Sequence, residues 1–529
     1  MSGALLLIAI ILFACIMANR FSDKLGMPVL LVFMALGMLF GSDGLFKISF
    51  ENYAATEQIC TVALIFIMFY GGFGTKWEMA KPVALKAVLL STVGVVITAL
   101  LTCGFCHFVL GMKLMESFLI GAVISSTDAA SVFSILRSKN LNLKDGTASL
   151  LELESGSNDP MAYMLTMIGL VFIQGSEASS IGYMLFSQIV YGALIGVAVA
   201  VLGIWILQKT PMVSEGLDTI YILALMLTSY ALPLVVGGNG YLSVYITGII
   251  LGNSKISNKA VMVHFFDGIT SLAQILIFFL LGLLSFPHKL PAVFNYSAAI
   301  ALFLLLVARP ISIFALMKPF KCSVKQCLLV AWAGLRGAAS IVFAIMVIAS
   351  GIKLENDIFH VVFVVSLLSV ALQGSLLPFM AKKLDMVDEE GDVRKTFNDY
   401  QEESALTLMR FFIPSGHNWE NKKISEVHMP TGSLALMIKR GAETLIPRGE
   451  TMILAGDNLI LSVPSYYGDA DVNLRELPIG KNHKWCNKTI EELNLPEDVL
   501  IAMVRRGDKN LIPSGKTVIK ENDVLVIYN

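Results

Sequence analysis

Three short stretches of otherwise apolar sequence carry side chains that hydrocarbon tolerates only at a cost. The first reads Glu152-Leu153-Glu154-Ser155-Gly156-Ser157-Asn158-Asp159-Pro160, the second Ser125-Ser126-Thr127-Asp128-Ala129-Ala130, the third Gly334-Leu335-Arg336-Gly337-Ala338. Ionisable groups inside a span mark ion or proton paths by default. At helical spacing Ser155 and Asp159 share one face, and Glu154 and Asn158 share the next. Pro160 has no N–H, so a carbonyl one turn back loses its helical donor. The product is a cluster of hard oxygens suited to Na⁺ or K⁺. A buried carboxylate in such a place holds either a proton or a cation, and holding one excludes the other. Asp159 is the residue expected to do this.

The other two stretches supply support. A guanidinium within a span needs a carboxylate, and Glu154 is the expected partner of Arg336, which leaves Asp159 free to titrate. The bland alternative is an arginine at a span end that snorkels to the interface. Thr127 offers a backbone carbonyl where its span is interrupted. Asp128 offers a carboxylate that reaches an ion through water, or a cap on a half-helix, and both can hold together.

These groups must be positioned by membrane helices. The chain is 529 residues long, 56% hydrophobic and 15% charged, with mean hydropathy +0.72, too apolar for an ordinary soluble protein. The excess lies in residues 1–385, while 386–529 have soluble composition. Apolar windows predict about thirteen spans, near 3–19, 28–42, 57–72, 83–110, 115–136, 147–174, 183–208, 217–235, 239–252, 267–286, 297–317, 325–350 and 356–380. The stretch Ala4–Ala18 lacks a basic flank and reads as a span rather than a cleaved signal. With the N-terminus outside, about fifteen Lys and Arg, Lys76, Lys144 and Lys321 among them, fall on the cytoplasmic side, against Lys47, Lys113, Lys289 and Lys353 outside. That places the soluble tail in the cytoplasm. Two six-span halves with one spacer would be inverted repeats, and Asp128-Ala-Ala-Ser-Val-Phe in the fifth span echoes Gly337-Ala-Ala-Ser-Ile-Val-Phe in the twelfth. A net charge of −1 gives no reason to expect a nucleic-acid partner, and seven cysteines without a histidine cluster argue against a disulfide framework or zinc site.

The three motifs in this order resemble the NhaP-like bacterial branch of the monovalent cation:proton antiporters, over essentially all of residues 1–385. The resemblance implies a homodimer in which a six-helix core moves against a dimer domain. It implies ion binding by the side chains of Asp159, Glu154 and Ser155 and the main chain of Thr127, with water-mediated help from Asp128. Asn158 would be structural and Arg336 would compensate charge. Many relatives have proline after the aspartate, where this chain has Ala129, so the fifth span must break by other means. The Asn158-Asp159 pair is similar to that of members exchanging one cation for one proton electroneutrally.

Residues 386–404 are acidic and polar and read as a linker. Beyond them the chain repeats itself at an offset of 66 residues, setting Trp419 against Trp485, Arg440-Gly441 against Arg506-Gly507 and Asp457 against Asp523. Short β-branched runs between Pro-Gly turns predict small α+β units, at 405–466 and 467–529. Each is similar to the C-terminal ligand-binding module of potassium-channel regulators, the TrkA-C domain. That resemblance implies dimerisation, a candidate regulatory nucleotide such as cyclic di-AMP or an adenine nucleotide, and K⁺ rather than Na⁺ as the cation. No Gly-rich fingerprint precedes the modules, so no NAD-binding half is expected. Two other functional classes make different demands on the sequence. A tail-gated channel would need a carbonyl-lined loop such as Thr-Val-Gly-Tyr-Gly, and a membrane enzyme a nucleophile–base or metal constellation. Neither is present. The expectation is therefore a multi-pass secondary transporter of the bacterial inner membrane, not an enzyme, with lipid, a second copy, K⁺ or Na⁺ and H⁺ as its partners, and no resident cofactor.

Overall fold

The computed structural model describes residues 2–388 and 406–528 apart from 26–27, 49, 51, 140, 176–178, 210–214, 255 and 257–258 in the first stretch. In the second, 428, 430–432, 442, 465–473, 481–482, 494, 496–499, 507–508 and 512 are excepted. Most of the expected 386–404 linker lies outside the described residues. The chain divides into two units, 1–400 and 401–529.

The first unit is helical. Its first half holds α1 Ser2–Leu25, α2 Val29–Phe40, α3 Tyr53–Gly74, α4 Trp77–Phe108, α5 Leu114–Val123, α6 Ala129–Ser138 and α7 Thr147–Ile173. There follow α8 Ser179–Lys209, α9 Glu215–Val235, α10 Gly240–Gly252, α11 Lys259–Leu284 and α12 Pro287–Phe320. Last come α13 Val324–Trp332, α14 Ala338–Ala349 and α15 Ile358–Lys383. Among the described residues, seven helices are long and apolar enough to cross a membrane, and five shorter apolar helices accompany them. The expected fifth and twelfth spans are each divided, into α5–α6 and α13–α14.

Local chemistry sets several starts. Asn52, Asn239, Ser323 and Asp357 cap α3, α10, α13 and α15 by accepting from backbone N–H groups of the first turn. π-Helical turns interrupt α4 at Leu90–Gly94, α12 at Leu304–Ala308 and α15 at Ser369–Gly374. Helices α4 and α12 thus each carry a π turn near mid-length. The Ser312 hydroxyl ties them by donating to the Gly94 carbonyl at 3.0 Å. Elsewhere backbones touch directly: Gly248 of α10 faces Gly72 of α3 with no room for a side chain, and Gly37 of α2 meets Gly282 of α11 likewise. Close backbone approach through small residues is how membrane helices pack when lipid is as apolar as leucine. Cys103-Gly-Phe-Cys106 lies inside α4, and all seven cysteines are free thiols.

The chain leaving α15 turns back onto the bundle. Leu143 and Val387 form an antiparallel bridge, flanked by Lys144 N–H to Met386 O at 2.9 Å and Asp388 N–H to Asn142 O at 2.9 Å. Lys144 and Lys325 both reach the exposed Asp385 carboxylate.

In the second unit each repeat makes a four-stranded antiparallel sheet. The strands are β1 Leu406–Phe412, β2 Leu434–Arg440, β3 Glu443–Leu445, β4 Asn458–Pro464, then β5 Leu474–Pro478, β6 Leu500–Arg506, β7 Lys509–Leu511 and β8 Asp523–Tyr528. The orders β1-β4-β2-β3 and β5-β8-β6-β7 are the same order written twice. Register is repeated too, down to a bulge between Ala435 and Met437 that recurs between Ile501 and Met503. Buried Ile413, Ile438, Ile453 and Leu459 recur as Ile479, Val504, Ile519 and Leu525. The described helical content of each repeat is one 3₁₀ turn, Ile424–Glu426 and Glu491–Leu493. Arg440 clasps the buried Asp457 with two 2.8 Å bonds, and Arg506 clasps Asp523 in the same way. Each guanidinium holds its aspartate below the usual carboxylate range.

Candidate functional site

Helix α7 runs unbroken through Pro160 and passes where the two divided spans cross. The crossing is made by backbone and by Arg336. Asp128 N–H donates to Leu335 O at 2.9 Å, joining the α5–α6 break to the α13–α14 break. From the second break, Arg336 Nη1 donates to the carbonyls of Ser125 and Ser126, both at 2.9 Å. These bonds satisfy carbonyls left without a helical donor at the α5–α6 break, where this chain has no proline. Asp128 also caps α6, accepting from Ser131 Oγ at 2.5 Å and Ser131 N–H at 3.3 Å. Gly337 opens α14 directly beside that carboxylate, where any side chain would overlap it.

The expected pairing of Arg336 with Glu154 is corrected by the structure. Glu154 bonds Arg309 of α12, Nη2 to Oε1 at 2.5 Å, with both side chains almost wholly buried. Arg336 is instead spent on the two carbonyls, and its own N–H donates to Ser369 Oγ at 3.1 Å. Ser369 in turn donates to Gln373, whose amide and carbonyl engage Trp332. The π turn of α15 thereby braces the α13–α14 break. Arg309 was missed by the sequence reading, although the same cost argument applies to an arginine after Leu304-Leu-Leu-Val-Ala. It sits just past the α12 π turn and before Pro310.

A cavity of about 400 Å³ reaches this crossing. Ser126, Thr127, Asp128, Ser155, Gly156 and Asp159 line its inner end. Tyr70 and Gly71 of α3, Glu152 of α7 and Asp267 of α11 line it toward the end of the bundle where α7 and α11 begin. Tyr70 donates to Asp267 at 3.0 Å there. At the inner end Ser126 Oγ donates to Asp159 Oδ1, Ser155 Oγ to Thr127 O at 2.5 Å, and Asn158 Nδ2 to Thr127 Oγ1 at 2.6 Å. Asp159, Ser155 and Thr127 are thus brought together around one space, all buried, with Asp128 on its wall. Glu154 and Asn158 point away from it, the one to Arg309 and the other into the Thr127 loop. A cation entering would find one carboxylate, two hydroxyl oxygens and the Thr127 carbonyl. A proton would find the carboxylate alone.

Residues 8–383 match the transmembrane sodium/hydrogen exchanger family, and the chain belongs to it. Residues 408–465 and 474–528 each match the TrkA-C domain. Among its relatives, the K(+)/H(+) antiporter NhaP of Alkalimonas amylolytica is 32% identical over 467 residues, 86% of this chain and 80% of that one. The K(+)/H(+) antiporter NhaP2 of Shewanella sp. strain ANA-3 is 32% identical over 84% of this chain and 78% of its own. The solved sodium proton antiporter MjNhaP1 of Methanocaldococcus jannaschii superposes with a TM-score of 0.63 at 23% identity, covering 72% of this chain and 99% of the archaeal one. The protein is a multi-pass membrane protein of the cation:proton antiporter fold.

Proposed function

We propose that the protein exchanges K⁺ for H⁺ across the bacterial inner membrane, one for one, as a homodimer with its C-terminal tail in the cytoplasm. The observation that carries this is the buried Asp159 carboxylate on the wall of the cavity, beside Ser155 and the Thr127 carbonyl. Asp159 holds a proton or a cation by turns, and either occupant neutralises it. The charge of Glu154 is answered by Arg309, so the exchange changes no other formal charge and is electroneutral. Arg336 serves by holding the crossing, and Asp128 reaches the ion through water. K⁺ is favoured over Na⁺ because the relatives matched over most of the chain are named K⁺/H⁺ antiporters and because two TrkA-C modules follow the transport domain. The division assigned is transport domain 1–385, linker 386–404, and modules 405–466 and 467–529. A nucleotide bound by the modules would regulate exchange only by binding two transport conformations with different affinity.

Proteoliposomes test this directly. Adding K⁺ should move protons, Na⁺ and Li⁺ should do so less, and Asp159→Asn should abolish the response while the protein remains folded. Near-wild-type exchange by Asp159→Asn would remove Asp159 from its role. Equal responses to Na⁺ would leave exchange standing but not the K⁺ preference.

A further inference from the structure

Arg309 is buried, and the Glu154 contact uses only one of its nitrogens. Nη2 donates to Glu154. Nε–H, shielded from solvent, has no hydrogen-bond partner among the described residues. Gly334 of the α13–α14 break lies against it, so close that a Cβ there would stand 2.8 Å from Nε. A buried donor without an acceptor is costly, and a charged one more so.

One turn back on the same helix an acceptor is in the opposite position. In an α-helix the Leu305 carbonyl would receive the N–H of Arg309. The π turn diverts that N–H to Leu304 O instead. Counting five back, as a π turn does, the next donor for Leu305 O would come from residue 310, which is proline and has no N–H. Leu305 O thus loses both of its helical donors. Residues four apart share a helix face, and both Leu305 and Arg309 line a cavity of about 10 Å³. Gly334, Arg336, Ser369 and Gln373 line it as well. The π turn of α12, the π turn of α15 and the α13–α14 break therefore meet at one small polar space, separate from the cavity at Asp159.

That volume is about one water molecule. Two guanidiniums on the wall would also suit a halide, but a halide only accepts hydrogen bonds, and Leu305 O needs a donor. The Gln373 amide is already oriented, since Oε1 accepts from Ser369 Oγ at 2.5 Å and Nε2 donates to Trp332 O at 3.0 Å. Its Oε1 keeps a lone pair to spare. We propose that a single ordered water occupies this cavity, accepting from Arg309 Nε–H and donating to Leu305 O and to the Ser369–Gln373 pair. Three bonds are usual for a buried water. With Nε and Nη2 both engaged, the plane of the guanidinium is fixed and Arg309 is held on Glu154. The water site stands on the cavity and its two unmatched groups, and only its role in exchange rests on the antiport reading above.

A cryo-EM map of the full-length protein in lipid nanodiscs, at a resolution that shows ordered water, provides the test. It should show a peak within about 3.2 Å of both Arg309 Nε and Leu305 O. Absence of the peak, or a peak out of reach of Arg309 Nε, would overturn the proposal. A repeat with bromide in place of chloride should leave the peak unchanged, and a stronger peak would assign a halide and overturn the water. Gly334→Ala brings a methyl against Arg309 Nε where the water sits, so the peak should be lost and proton movement on adding K⁺ to proteoliposomes should slow several-fold. Loss of the peak with exchange at the wild-type rate would overturn the positioning role. A wild type that moves no protons on addition of K⁺ would overturn the antiport reading, and a bridging peak in its map would still uphold the water.

Discussion

Two arginine–carboxylate pairs, one in each unit, use the same groups in opposite settings. Arg309 and Glu154 are 3% and 1% exposed and lie among apolar helices, whereas Arg440 is 34% exposed and only its partner Asp457 is fully covered. The membrane pair makes one short contact. The tail clasp makes two, and both its guanidinium and its carboxylate also bond the backbone, through Met452 O and Leu454 N–H. Water can replace much of what Arg440 loses on substitution, but it cannot reach Glu154. The difference teaches that the worth of an ion pair lies chiefly in what happens to the partner left behind.

The largest effect is expected where replacement is impossible. Arg309→Ala should lower stability by about 3–5 kcal/mol by stranding Glu154, seen as a fall in the thermal midpoint of the detergent-purified protein. Glu154→Gln with Arg309→Gln should cost less than the two single changes added. Strict additivity would show that the pair is not a unit.

A smaller effect is expected in the tail. Asp457→Asn should cost about 1–2 kcal/mol through weakened charge-assisted bonds. Because Arg440 depresses the folded-state pKa of Asp457, the clasp contributes fully above the ordinary carboxylate range, and its contribution is lost as pH falls through the depressed folded value. Asp523 follows the same course. Acid unfolding of a 401–529 fragment should therefore flatten below about pH 4 when both aspartates are changed to asparagine. An unchanged acid limb would assign the pH dependence to other groups.

The smallest effect belongs to the exposed cluster. Asp385→Ala removes contacts to Lys144 and Lys325 that water and salt already screen, and the thermal midpoint should not move measurably. A clear drop would mean that exposure is a poor guide to the worth of ion pairs in this molecule.

Much of this was legible before any coordinates. Hydropathy located the helices because hydrocarbon forces length and composition together. The three polar motifs were visible because each breaks that rule, and the tail repeat because its copies align without a gap. What could not be read was which arginine meets which carboxylate. Arg309 and Arg336 are equally expensive in a span, and Glu154 lies more than 150 residues before either. Arg309 meets Glu154 from just past the π turn of α12, and the crossing of two breaks gives Arg336 carbonyls to bind instead. The same crossing explains an α5–α6 interruption for which the local sequence, with Ala129 after Asp128, gives no proline.

The short bridge between Leu143 and Val387 alters the order in which force travels through the chain. Covalently, everything beyond residue 388 hangs from α15 alone. Mechanically, it hangs from two points, because the hydrogen bonds of Met386 and Asp388 fasten the same segment to residues 142–144, three residues before α7 begins. A pull along the chain past Asp388 loads those bonds before it loads α15. The load path then enters the helix that carries Glu154, Ser155 and Asp159 at its first turn.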